Sequence, residues 1–177
     1  KPHININALL LSFVAGKKIG FIQENLSDAQ PIVRIMPNTP TSVGLGAAGY
    51  SFGSAVTQEH RVFVASLLAA AGKAVEVDES LQDAITATSG SGPAYFFAFV
   101  EAMVEGAVAL GLSHEDATTL TIQTIVGSAA LLEKSGDSPT ILREKVTSPN
   151  GTTAAALASF SNDHLSKIVA RAMKAAH

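Results

Sequence analysis

The chain has 177 residues, 47% hydrophobic and 15% charged, with a formal net charge of -3; that balance fits a folded protein with a well-buried core and leaves no basic footprint for nucleic acid. Cysteine is absent, which removes disulfides, thiolate metal sites and cysteine nucleophiles and gives no reading of the compartment from thiol usage, for which the cytoplasm is the default expectation. No run approaches the roughly eighteen apolar residues of a membrane span, and a start at Lys1, without methionine and directly on an apparently structural segment, predicts a fragment of a longer protein.

Residues 9–14 form a short apolar run that ends at Ala15-Gly16, as a buried strand would. Ile19, Ile22 and Leu26 then recur at helical spacing, and Ser27-Asp28 breaks the pattern before the β-rich run Ile32-Val33-Arg34-Ile35-Met36. A further strand is predicted around 48–52, then a helix over about 58–71 with Thr57 as N-cap and Gly72 just past its end, then a strand near 74–77. This alternation predicts an α/β layered sheet.

From Asp78 onward the strand signals stop. Four helix-sized segments follow, with predicted starts at Ser80, at Ser91-Gly92-Pro93, at Ser113 with Asp116 three residues on, and at Ser138-Pro139. Segment 94–110 carries Phe96, Phe97, Phe99, Val100, Met103, Val104, Val108 and Leu110, too broad an apolar surface for a helix with one wet face, and 117–132 is similar. A partner subunit is the simplest cover, with residues upstream of Lys1 as the alternative.

Two glycine-rich motifs compete as phosphate loops. Gly44-Leu45-Gly46-Ala47-Ala48-Gly49 has the literal spacing but runs into strand-like Tyr50-Ser51-Phe52 where a helix is needed, so it is rejected. Ser89-Gly90-Ser91-Gly92-Pro93 does lead into a helix, and spacing favours a tight capped entry over an anion site. The five histidines show no metal-binding spacing, and Glu101 and Glu105, one turn apart, read as ordinary surface or interface charges. Ser148-Pro149-Asn150-Gly151-Thr152-Thr153 places hydroxyls and a glycine at the entrance to Ala154-Ala155-Ala156-Leu157-Ala158. Free N–H groups and the helix dipole there would suit a carboxylate, and spacing alone leaves that reading level with a plain capped helix.

The segment Leu142-Arg143-Glu144-Lys145-Val146-Thr147-Ser148-Pro149-Asn150-Gly151-Thr152-Thr153 resembles the signature of the pyrroline-5-carboxylate reductases. Three further blocks agree in order: Lys1-Pro2, then Met36-Pro37-Asn38-Thr39-Pro40 with Val43-Gly44, and Ser89-Gly90-Ser91-Gly92-Pro93-Ala94-Tyr95. The resemblance covers essentially the whole chain. It implies the C-terminal part of a Rossmann-type α/β dinucleotide-binding domain over residues 1–78 and an all-α dimerisation and substrate-binding domain over 79–177. It further implies a homodimer whose assembly beyond two copies is left open, and reduction of 1-pyrroline-5-carboxylate to proline with NADPH or NADH. The family's phosphate-binding strand–turn–helix would lie upstream of Lys1, and a helix usual between the Lys-Pro and the next strand has no room in residues 3–7.

Imine reduction needs an electrophilic carbon, a hydride donor on one face and a proton for nitrogen, and demands neither a metal nor a protein nucleophile. By resemblance, Ser148, Gly151 and Thr152 hold the substrate carboxylate, the Thr153 hydroxyl hydrogen-bonds the ring nitrogen as the catalytic contact, Val146 lines the pocket, and Lys1, Pro2 and Asn38 flank the nicotinamide. The rival readings are a non-catalytic helical oligomerisation module and a related imine or β-hydroxyacid reductase.

Overall fold

The computed structural model describes residues 4–177, so Lys1 and Pro2 lie outside the described residues. The chain divides into two compact units, one running to Ala94 and taking in Met173–His177, the other Tyr95–Ala172.

The first unit is built on a four-stranded mixed sheet in the order β1 (Leu10–Ser12), β2 (Ile32–Met36), β3 (Gly46–Phe52), β4 (Gly72–Glu76). β1 pairs parallel with β2 across helix α1 (Ile19–Gln23), and β3 parallel with β4 across helix α2 (Gln58–Ala69), while β2 and β3 are antiparallel. The expected α/β layering is therefore present, with one antiparallel pair at its centre. β2 is paired on both sides and buried on both faces, which is why its sequence is nearly continuous in apolar residues. Val33 and Ile35 face one way and pack with Val64 and Leu68 of α2. Each such fully buried side chain contributes roughly 1.5–3 kcal/mol of transfer free energy.

Arg34 points to the opposite face of β2 and is buried there. Its guanidinium lies 3.5 Å from both Glu79 and Asp83. Beside it Gln82, also buried, donates to the Ser51 hydroxyl at 2.9 Å, and Ser51 donates in turn to the Val77 carbonyl at 2.8 Å. The segment that leaves the sheet is thus fastened to it by polar side chains.

α2 starts as its sequence indicates. Thr57 accepts from the His60 N–H, and the His60 ring accepts from the Thr57 N–H, a reciprocal cap. It stops earlier than predicted: Gly72 opens β4 with φ +141°, and does not close the helix. Gly72 stands opposite Gly46 in the strand register, and a Cβ on Gly72 would run into the Gly46 backbone.

Beyond β4 the chain is helical, but two predicted starts move. A 3₁₀ turn (Glu79–Leu81) is capped by Asp78, whose carboxylate accepts from the Ser80 N–H at 2.9 Å, so Ser80 is the capped residue and not the cap. Helix α3 (Gln82–Ile85) then passes through a π-turn (Thr86–Gly90) straight into α4 (Gly92–Ala109), so Ser91-Gly92-Pro93 lies inside a continuous helical run. α5 (His114–Lys134) and α6 (Pro139–Lys145) start where predicted, capped by Ser113 and Ser138. α7 (Thr152–Asn162) and α8 (Leu165–Ala176) complete the chain, α8 having no predicted counterpart and following His164 in the left-handed region at φ 55°.

Within the helical unit few side chains are buried, among them Val104, Ala117 and Thr121. Phe96 is 64% exposed, Phe97 61% and Leu110 90%, so the broad apolar surface predicted for α4 stays uncovered by this chain. Glu101 and Glu105 are exposed, as expected. No helix among the described residues is long and apolar enough to cross a membrane.

Candidate active site

The sequence that joins α6 to α7 folds by local rules. α6 runs out at Lys145, and Thr147 turns back on it, its N–H donating to the Glu144 carbonyl at 3.0 Å and its hydroxyl to the Arg143 carbonyl at 2.6 Å. A β-turn over residues 148–151 follows, closed by the Gly151 N–H to the Ser148 carbonyl at 3.1 Å. Pro149 occupies its second position and Asn150, at φ 60°, its third, the residues a type II turn requires. The predicted helix entrance at Ser148 is therefore a turn, and α7 begins at Thr152 with Gly151 as its N-cap.

Gly151 decides the character of that entrance. Its backbone is extended, at φ −81° and ψ 171°, so the glycine is not needed for conformation. It is needed for space, because a Cβ there would run into the Ser148 hydroxyl. Without a side chain Gly151 cannot cap the helix, and no other side chain does so. The first internal bond runs from the Ala155 N–H to the Gly151 carbonyl at 3.1 Å. The N–H groups of Thr152, Thr153 and Ala154 are left without an acceptor among the described residues. They lie at the positive end of the α7 dipole, equivalent to about half an elementary charge. Thr153 is half-buried there, and Ser148, Thr152 and Val146 are exposed. The cap at this entrance is thus a glycine without a side-chain bond, rather than one of the neighbouring hydroxyls.

The remaining motifs sort differently. Gly46 and Gly49 sit inside β3, as the rejection of a phosphate loop requires. Each glycine there answers to a neighbour: a Cβ on Gly46 would meet Thr41, and one on Gly49 would lie 2.7 Å from the Ile85 side chain. In the Ser89–Pro93 segment the Ser91 N–H goes to the Thr86 carbonyl at 2.8 Å and Pro93 has no N–H, while the Ala94 N–H that follows goes to the Ser91 carbonyl at 3.0 Å. Neither glycine-rich motif therefore presents the run of free N–H groups that a phosphate loop needs. Asn38 is half-buried, its carboxamide oxygen accepting from the Ala47 N–H at 2.9 Å and its nitrogen donating to the Ser89 carbonyl at 3.0 Å. Lys1 and Pro2 are outside the described residues. No cluster of metal-ligating side chains occurs among the described residues. Asp78 is the titratable group with a marked perturbation, held below the ordinary carboxylate range by hydrogen bonds from the Ser80 hydroxyl and then its N–H. Sequence reasoning missed Asn150 and Thr147, although Pro-Asn-Gly is itself a turn signal.

Comparison with known proteins bears on this entrance directly. Residues 79–177, more than half of the chain and including the whole α6–α7 junction, match the family described as pyrroline-5-carboxylate reductase dimerisation. The chain belongs to this family. A pyrroline-5-carboxylate reductase of Arabidopsis thaliana is 44% identical over 155 residues, covering 88% of this chain and 56% of the relative, and one of Pseudomonas aeruginosa is 41% identical over 176 residues, covering 99% and 64%. Among solved structures, the NADP-bound pyrroline carboxylate reductase of Plasmodium falciparum superposes with a TM-score of 0.88 at 35% identity, covering 95% of this chain and 66% of that one. The pyrroline-5-carboxylate reductase of Coxiella burnetii gives 0.91 at 38% identity, covering 95% and 63%. The Rossmann-type fold of the first unit is thereby shared with these enzymes, and the chain spans under two thirds of the relatives' length.

Proposed function

We propose that this chain is the greater part of a pyrroline-5-carboxylate reductase, which reduces 1-pyrroline-5-carboxylate to L-proline with NADPH or NADH as the last step of proline biosynthesis. The observation that carries the reading is the uncapped first turn of α7, with three N–H groups behind a glycine that keeps side chains away. Ser148, Gly151 and Thr152 hold the substrate carboxylate there, the Thr153 hydroxyl hydrogen-bonds the ring nitrogen, and Val146 lines the pocket. Holding both ends of the ring fixes the imine carbon, and positioning is the protein's main contribution. Lys1, Pro2 and Asn38 flank the nicotinamide. The nucleotide supplies the hydride when bound. Neither glycine-rich motif offers its phosphates a run of free N–H groups, so we assign their binding to the part of the relatives' length that this chain does not span. The exposed aromatic surface of α4 supports a homodimer, and the default compartment is the cytoplasm.

The test is nucleotide oxidation by the full-length protein with pyrroline-5-carboxylate. Thr153→Ala lowers kcat/KM by on the order of ten- to a hundredfold, with Thr153→Ser close to the parent. Unchanged kinetics in Thr153→Ala would remove Thr153 from the mechanism. No turnover by the parent protein would leave an oligomerisation module or a reductase of a different imine.

A further inference from the structure

Asn150 precedes Gly151, and no other asparagine in the chain precedes a glycine. The pair sits in the turn ahead of α7, where the exposed Asn150 carboxamide makes no hydrogen bond among the described residues. The Ser148 hydroxyl excludes a side chain from residue 151, and the same absence leaves the Gly151 nitrogen unshielded toward the asparagine before it. That nitrogen is held in the turn by a single bond, from its N–H to the Ser148 carbonyl at 3.1 Å. Breaking one surface turn bond is a local opening, far less costly than unfolding. Negative charge that builds on the nitrogen and on the carboxamide oxygen during attack lies beside the positive end of α7, whose first N–H groups have no acceptor.

We propose that Asn150-Gly151 is a self-modification site: in the opened turn the Gly151 nitrogen attacks the Asn150 side-chain carbonyl carbon, and the entrance of α7 acquires a carboxylate. The new C–N bond closes a succinimide ring, while the carboxamide nitrogen leaves as ammonia and takes up the Gly151 proton. Water then opens the ring at either carbonyl. Cleavage of the new bond gives aspartate; cleavage of the original peptide bond gives isoaspartate, with the chain rerouted through the side chain. No electrons are transferred, and water is the sole co-reactant. Either product adds a negative charge directly ahead of the N–H groups proposed to hold the substrate carboxylate, so binding of the imine weakens by like-charge repulsion. That consequence rests on the reductase reading; the covalent step does not.

The experiment ages the full-length protein in mildly alkaline buffer and maps its peptides by mass spectrometry, with isoaspartate resolved from aspartate by chromatography. Conversion at Asn150 is expected to run at least about tenfold faster than at Asn5, Asn7, Asn25, Asn38 or Asn162, each followed by a residue with a side chain, while circular dichroism stays that of the fresh protein. Fresh Asn150→Asp is expected to raise KM for the imine about fivefold or more, with nucleotide KM within about twofold. The aged parent loses activity at low imine concentration in proportion to the converted fraction. Asn150→Gly keeps the positive φ, cannot convert, and is expected to hold its fresh kinetics through the same ageing. Conversion at Asn150 no faster than at the other asparagines would overturn the site, and fresh Asn150→Asp with the parent's kinetics would overturn its effect on the entrance. Should the fresh parent reduce no imine, the reductase reading fails, while the peptide map still decides the modification.

Discussion

Arg34 on β2 and Glu79 in the turn after β4 meet at 3.5 Å, and the same Glu79 oxygen accepts the Ile19 N–H at 2.7 Å, so one carboxylate ties the sheet, α1 and the start of the helical segment together. The Arg34 side chain is 4% exposed, Glu79 28% and Asp83 51%. Asp83, half-exposed, is screened by solvent and contributes little. Glu79→Ala removes a half-buried partner from a buried guanidinium and a bond from the α1 entrance, and is expected to cost about 2–3 kcal/mol, against under about 1 kcal/mol for Asp83→Ala. Urea unfolding of the two variants checks the order; equal losses would contradict it.

Gly72→Ala is expected to destabilise by about 3 kcal/mol or more, because φ +141° strains any L side chain and the added Cβ strikes the Gly46 backbone, which cannot swing aside. Gly20→Ala is the control: it lies in α1 with open space around it and should gain about 0.5–1 kcal/mol. Thermal melts of both variants separate collision from helix propensity.

Asp78 supplies a pH dependence whose sign is fixed. Its folded pKa lies below the ordinary value, because the Ser80 hydroxyl and N–H favour the carboxylate. Its contribution is therefore present above the unfolded carboxylate pKa of about 4 and is lost as pH falls through the lower folded value. Asp78→Asn should flatten the stability profile below about pH 4 and leave the profile near neutrality parallel to the parent. A slope preserved below pH 4 would assign it to other carboxylates.

Gly151→Ala forces the Ser148 hydroxyl out of its place at the α7 entrance. In the full-length protein KM for the imine should rise by roughly tenfold or more, with nucleotide KM little changed, since one side of the proposed carboxylate site is displaced. An equal rise in both would point to a collapse of the α6–α7 junction instead.

The exposed aromatics of α4 lead to a prediction about assembly. Replacing Phe96 and Phe97 together by serine should shift sedimentation toward the monomer while helix content stays close to the parent, because neither side chain is buried within the chain. A parent protein that sediments as a monomer at micromolar concentration would contradict the homodimer.

Much of this was readable residue by residue. β2 was placed at its observed bounds because a central strand writes itself as an apolar run, and the Thr57, Ser113 and Ser138 caps because a short polar side chain before a helical stretch has a local purpose. The π-turn was not readable, since it depends on Asn38, Met36 and Ile85 arriving from elsewhere in the chain. Gly72 failed for the same reason: a glycine after a helix looks like a terminator until the facing strand is known. At the candidate site the Pro-Asn-Gly turn and the glycine entrance follow from local chemistry. The identity of an anion for it came only through resemblance, because an uncapped helix start suits any carboxylate or phosphate.

The π-turn also sets the phase of the helix that continues from it. A π-turn holds one residue more than the regular helix it interrupts, and one residue is about 100° of rotation. Deleting a single residue between Thr86 and Gly90 would give a more regular helix, and would turn Gly92, Pro93 and Ala94 by about 100° about the helix axis relative to α3. Pro93 and Ala94 would then face a different direction, so this irregularity sets the rotational phase in which α4 begins.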